Sequence, residues 1–175
     1  GAFLKSVVAR FCNESIKSGR NSDSIKQDLE SLIHGIDTDE IAYKQCIVNL
    51  NQVALEFGIE NVKCDLYNQS SLSMSKFNGK MDFVVGNPPY VRVHNLDSSY
   101  DEVKRYKFAN GGMTDLYLAF FELGFRMLNS TGRLCYITPS SCLNSIAALN
   151  MRLHILKEQN LVSLVDLGHF QPFEN

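Results

Sequence analysis

The chain has 175 residues, 45% of them apolar and 21% charged, and a formal net charge of −2. That is one domain's worth of chain with an ordinary globular composition; no apolar run nears the roughly 20 residues that cross a bilayer, and no global basic signature announces nucleic acid, although a local patch could still bind it. Five cysteines, Cys12, Cys46, Cys64, Cys135 and Cys142, form no CxxC pair, which predicts reduced core thiols and a cytoplasmic protein, and four scattered histidines give a metal site no support.

"GAFLKSVVARFC" spaces Phe3, Leu4, Val7, Val8 and Phe11 at helical intervals, and the polar "NESIKSGRNSDS" after it reads as a loop or frayed helix end. "SIKQDLESLIHGID" predicts a short helix running into a strand that ends near Asp37. "DEIAYKQCIVNLNQVALEFG" predicts an amphipathic helix stopped at Gly58. "NVKCDLY" reads as a short strand ending in an aspartate, and "MDFVVG" as a buried one that two adjacent prolines bring to a halt. Residues 91–112 form a long polar connection of the kind that more often belongs to function than to scaffold. A helix over "MTDLYLAFFELGFRMLN", a strand over "RLCYITP", a helix over "SCLNSIAALNMRLHILKEQN" and a last strand over "LVSLVDLG" complete the series.

Strands alternating with helices predict an α/β, doubly wound, parallel sheet, which binds ligands beyond the carboxyl ends of its strands. Asp37, Asp65 and Asn87 are all expected at such ends. Asp37 could accept both hydroxyls of a ribose or cap the next helix, and the residue alone does not choose. Asp39 is better explained by favourable placement near a helix N-terminus. Asp65 could accept from an adenine amino group with Leu66 covering the ring, or be a turn aspartate. The amide oxygen of Asn87 and the carbonyl of Pro88 could accept both hydrogens of one NH2 group, with Tyr90 as a face for a flat base. A plain Asn-Pro-Pro turn leaves Tyr90 and the preceding strand unexplained.

"VVGNPPYVR" resembles the catalytic motif of S-adenosylmethionine-dependent N6-adenine DNA methyltransferases. "GAFL" resembles the end of their glycine-rich cofactor loop, and "GIDTDEIA" and "CDLY" resemble the next two cofactor motifs, in the gamma-class order. "MTDLYLAFFELGFRMLNSTGRLCYITPSSCLNS" is similar to a segment of restriction-modification methyltransferases, and "LVDLGHFQPFEN" to the segment that sets an aromatic against the extruded base.

The resemblance implies a doubly wound, mostly parallel, Rossmann-like methyltransferase sheet lacking its usual first strand. It implies a type II or IIG-like fragment truncated at both ends: a partial catalytic domain over 1–175, with a cofactor half 1–82, a catalytic and target-base half 83–175 and no target-recognition domain. Such a fragment is expected to be inactive alone and to bind S-adenosylmethionine weakly or not at all. The cofactor would meet Gly1, Phe3, Asp37, Thr38, Asp65, Leu66 and Pro89. Asn87, Pro88 and Tyr90 would be catalytic, and Tyr90 with Phe173, or its rival Phe170, would stack on the base. Asp115 would help shape the cofactor pocket, and Arg92 would meet a phosphate or stay solvated.

Implied partners are double-stranded DNA with one flipped adenine and a restriction subunit or fused nuclease, with no membrane and no metal. Two acceptors on a weakly nucleophilic amine would take up positive charge as the methyl group arrives, on a base taken out of the duplex. "NPPY" also serves methyltransferases of protein glutamine and of RNA amines, so those activities, or a non-catalytic DNA-binding or scaffold fragment, are the alternatives.

Overall fold

The computed structural model describes residues 1–93, 100–109 (of Tyr100 the backbone), 114–159 and 161–168. The chain forms two compact units, Gly1–Met74 and Ser75–Asn175.

In the first unit α1 (Ala2–Lys17), α2 (Ser22–Leu32), β1 (His34–Asp37), α3 (Glu40–Glu56) and β2 (Asp65–Asn68) follow one another. Val8, Cys12 and Ser15 sit on one face of α1 at helical spacing and are all buried, so the helix runs on to Lys17. It thus enters the polar stretch expected to be a loop or frayed helix end, which turns only between Lys17 and Ser22. Asn21 caps α2 by accepting from the Ser24 N–H at 2.8 Å. Gly58, with φ of 72°, lets the chain leave α3 in the left-handed conformation that glycine adopts without strain. These helices close over Cys12, Ile25, Leu29, Leu50, Ala54 and Ile59.

β1 and β2 pair in parallel, His34 opposite Asp65 and Asp37 opposite Asn68. Asp65 therefore opens β2 instead of ending it. The cause lies just upstream: the Asn51 amide takes both the N–H and the C=O of Val62, at 2.9 and 3.0 Å, and Glu30 takes the N–H of Lys63 at 3.0 Å. Backbone groups spent on side chains cannot also join a ladder.

The second unit carries β3 (Met81–Gly86), a single turn α4 (Tyr100–Val103), α5 (Leu116–Met127), β4 (Leu128–Tyr136) and α6 (Leu149–Glu158). β3 and β4 pair in parallel, with Phe83 opposite Arg133 and Gly86 opposite Tyr136, and the register shifts between Met81 and Phe83. Gly132 permits the close approach there, since a Cβ on it would lie 2.6 Å from the Met81 carbonyl oxygen. α5 buries Leu118, Ala119, Leu123 and Met127.

Three expectations are corrected in this unit. β3 is not a buried strand: Phe83 is 71% and Val85 40% exposed on one face. α6 is shorter than its apolar pattern, because residues Ser140–Leu143 form a 3-10 turn. Residues 161–168 form no strand; Leu161, Val162, Leu164 and Val165 are exposed, and no described strand pairs with them.

The architecture is thus α/β with two small parallel sheets, β1–β2 and β3–β4. Among the described residues no helix is long and apolar enough to cross a membrane.

Candidate active site

β3 delivers the Asn-Pro-Pro-Tyr segment at its carboxyl end, directly after Gly86. Asn87, Pro89 and Tyr90 are exposed, whereas the Pro88 ring is buried and pins the turn. Strand pairing continues one step further, with the Ile137 N–H donating to the Gly86 carbonyl at 3.2 Å. The Tyr90 hydroxyl lies 2.5 Å from Asn87 Oδ1 and 3.0 Å from the Ile137 carbonyl oxygen. Partial desolvation raises the Tyr90 pKa, so the phenol stays protonated at neutral pH.

The chain leaving the motif is tied to the start of α5. The Val93 N–H donates to the Thr114 carbonyl at 2.9 Å and the Leu116 N–H to the Val91 carbonyl at 2.8 Å. Arg92 and Asp115 form the antiparallel bridge between them, with Arg92 Nε 3.9 Å from Asp115 Oδ1. Sequence reasoning singled out both residues and missed that they face each other. Phe170 and Phe173 lie outside the described residues.

In the first unit, Asp37 ends β1 and is exposed, as is Thr38 beside it. Asp39, not Asp37, caps α3: its Oδ1 accepts from the N–H groups of Ile41 and Ala42 at 2.7 and 3.1 Å. Asp37 Oδ1 accepts from the Asp39 N–H at 3.0 Å, which holds the carboxylate at the mouth of the helix. Gly1 packs on α3, where a Cβ would lie 2.8 Å from Cys46 Sγ, and Phe3 is exposed near the start of α1.

Asp65 stands at the other end of this small sheet, about 10 Å from Asp37 at three residues of strand rise. Both of its oxygens have partners: His34 Nδ1 at 3.0 Å and the Tyr67 hydroxyl at 2.6 Å. Leu66 packs against the core cluster of the unit, with its Cδ2 2.8 Å from where a Gly35 Cβ would be. The structure therefore groups Gly1, Asp37 and Thr38 near the N-terminal half of α3, and sets Asp65 apart from them. The His34–Asp65–Tyr67 network was not foreseen; the register that puts His34 beside Asp65 crosses 31 residues of sequence.

Parallel α/β units, one of them ending a strand in Asn-Pro-Pro-Tyr, are compatible with a methyltransferase fold, and comparison with known families supplies the class. The model described as "Eco57I restriction-modification methylase" matches residues 10–173. The chain belongs to that family.

It is 26% identical over 189 residues to the Type II methyltransferase M.BstVI of Geobacillus stearothermophilus, covering 100% of this chain and 33% of that protein. It is 28% identical over 151 residues to the Type II methyltransferase M.BanIII of Aneurinibacillus aneurinilyticus, covering 79% of this chain and 25% of that one. To the Type II restriction enzyme and methyltransferase RM.Eco57I of Escherichia coli it is 24% identical over 161 residues, 90% of this chain and 15% of that one. The chain thus spans a third or less of these relatives.

Proposed function

We propose that this chain carries the target-amine site of an adenine-specific DNA methyltransferase, of the gamma class and acting at N6. The observation that carries the reading is the exposed Asn87 amide at the end of β3, on a turn pinned by the buried Pro88 and flanked by Tyr90. Asn87 Oδ1 and the Pro88 carbonyl would accept the two hydrogens of the exocyclic amine. As the nitrogen gains positive charge, these fixed dipoles stabilise it without having to reorganise. The Tyr90 ring, 49% exposed, offers a face to a base withdrawn from the duplex. Phe173, or Phe170, is our candidate for its other face.

S-adenosylmethionine would supply the electrophilic methyl group when bound. Asp37 suits its ribose, because its second carboxylate oxygen holds no hydrogen bond among the described residues. Gly1, Phe3, Thr38, Leu66 and Pro89 are our further contacts. Asp65, with His34 Nδ1 and the Tyr67 hydroxyl on its two oxygens, is our candidate for the cofactor's adenine amine. A Rossmann-like methyltransferase fold belongs to this proposal, as does a restriction activity acting with or fused to the methylase.

The motif would serve any planar NH2 group, including a protein amide or an RNA base. Family membership and the Type II names of the relatives favour DNA. The test is single-turnover methyl transfer by the whole protein to duplex DNA, structured RNA and a glutamine-bearing protein, with Asn87→Ala alongside. We expect transfer to DNA alone, a fall of at least about 10²-fold in the variant, and unchanged melting. Transfer to another substrate overturns the DNA assignment. A near-normal rate in Asn87→Ala, or a collapsed melt, returns the motif to a rigid turn.

A further inference from the structure

The Tyr90 hydroxyl has two acceptors within reach, Asn87 Oδ1 at 2.5 Å and the Ile137 carbonyl oxygen at 3.0 Å. A phenol carries one proton, so one acceptor at a time receives it in full. Both acceptors belong to the same end of the β3–β4 pair, where the Ile137 N–H holds the Gly86 carbonyl at 3.2 Å. The carbonyl is therefore fixed by the strand ladder, while the exposed Asn87 side chain can turn.

A primary amide has nearly the same shape after a half-turn, with oxygen and nitrogen exchanged. With the oxygen turned in, as here, the phenol donates to Asn87 and that lone pair is taken. With the nitrogen turned in, the Asn87 N–H donates to the phenolic oxygen, and the phenol proton goes to Ile137. Every group is again satisfied, and Asn87 Oδ1 now faces outward. A phenylalanine ring would allow the same stacking and hold neither orientation.

We propose that Tyr90 is a positioning residue as well as a stacking face: its hydroxyl, within reach of the Ile137 carbonyl, holds the Asn87 amide by donating to its oxygen at rest and by accepting from its N–H once that oxygen turns to the substrate amine. The inference rests on the reading of Asn87 as the acceptor of that amine. The oxygen-in arrangement is then a resting state that spares the acceptor from being unpaired. Its replacement by the oxygen-out arrangement accompanies binding of the amine. No bond is made or broken beyond the exchange of hydrogen-bond partners.

The test is Tyr90→Phe in the whole protein, with duplex affinity, cofactor affinity, melting and single-turnover transfer measured together. The expected result is a transfer step slower by about 3- to 10-fold, the scale of one hydrogen bond, with both affinities and the melt unchanged. In an Asn87→Ala background the same substitution should cost nothing further, because the hydroxyl then has no amide to orient. A structural role would move the melt instead, and a purely stacking role, which phenylalanine keeps, would leave transfer unchanged; either result overturns the proposal. Wild-type transfer in Tyr90→Phe with Asn87→Ala still crippled also overturns it, while leaving Asn87 as the acceptor. Near-normal transfer in Asn87→Ala removes the underlying reading itself.

Discussion

Asp37 and Asp39 stand two residues apart, and their hydrogen bonds assign them different tasks. Asp39 accepts from the Ile41 and Ala42 N–H groups in the first turn of α3, and Asp37 holds the Asp39 N–H with one oxygen. Asp39→Ala should cost about 1 kcal/mol of stability, the usual value of a lost N-cap, and leave cofactor affinity alone. In the whole protein, Asp37→Ala should do the reverse, weakening the proposed S-adenosylmethionine binding by about 1.5–3 kcal/mol, the range for a hydrogen bond to a charged group. Calorimetry and a thermal melt on the two variants separate them. Unchanged cofactor affinity in Asp37→Ala would leave that carboxylate as a brace for the loop before α3. The sequence leaves both roles open for Asp37, because only the backbone path shows which aspartate reaches the helix end.

Among the elements, α5 has a second task beyond packing on the strands. Its Glu122, 7% exposed, accepts from the Phe108 N–H at 3.0 Å and from the Arg126 guanidinium. Arg126 in turn lies over the Tyr106 ring, 4.8 Å from its centroid. The helix thereby fastens the 3-10 turn Lys107–Ala109 in the connection that follows the motif. Glu122→Ala leaves the buried Phe108 N–H without its acceptor and the exposed Arg126 guanidinium without its carboxylate, and should cost about 1–3 kcal/mol in denaturant unfolding; Glu122→Gln, which keeps an acceptor, should cost less. Equal losses in the two would mean that charge rather than hydrogen bonding holds the turn.

Elements with punctuation in their own sequence were legible in advance. α3 lies between Asp39 and Gly58, and β3 ends where Pro88 and Pro89 forbid further pairing. Elements decided by distant partners were not. The start of β2 depends on Asn51 and Glu30, both on helices remote in sequence. "LVSLVDLG" has the composition of a strand, but a strand also needs a hydrogen-bonding neighbour. The site divides the same way. Asn87 and Tyr90 stand out by their neighbours in sequence, whereas the Ile137 carbonyl, 47 residues on, does not.

Across this chain, a net charge of −2 limits what electrostatics can contribute to the DNA binding proposed above. Phosphate contacts release counterions and make binding steeply salt-dependent. With negative charge in slight excess, the duplex binding proposed for the chain should show a shallow dependence, a log–log slope of about −2 or weaker, corresponding to about two phosphate contacts. Fluorescence anisotropy over a salt series measures it. A slope of about −6 would reveal a concentrated basic patch that the overall balance conceals.

One exposed residue on β4 also makes this site open to observation. Cys135 lies opposite Val85, next to Tyr136 and close in sequence to the Ile137 carbonyl. Burial raises the pKa of Cys12, Cys46 and Cys64, the last to about 11, and Cys142 is buried as well. Thiol-directed reagents act on accessible thiolates, so a maleimide dye or nitroxide would attach at Cys135 first, with no engineered cysteine. The unaltered chain thus carries its own anchoring point for a spectroscopic probe, two residues from the Ile137 carbonyl that lies within reach of the Tyr90 hydroxyl.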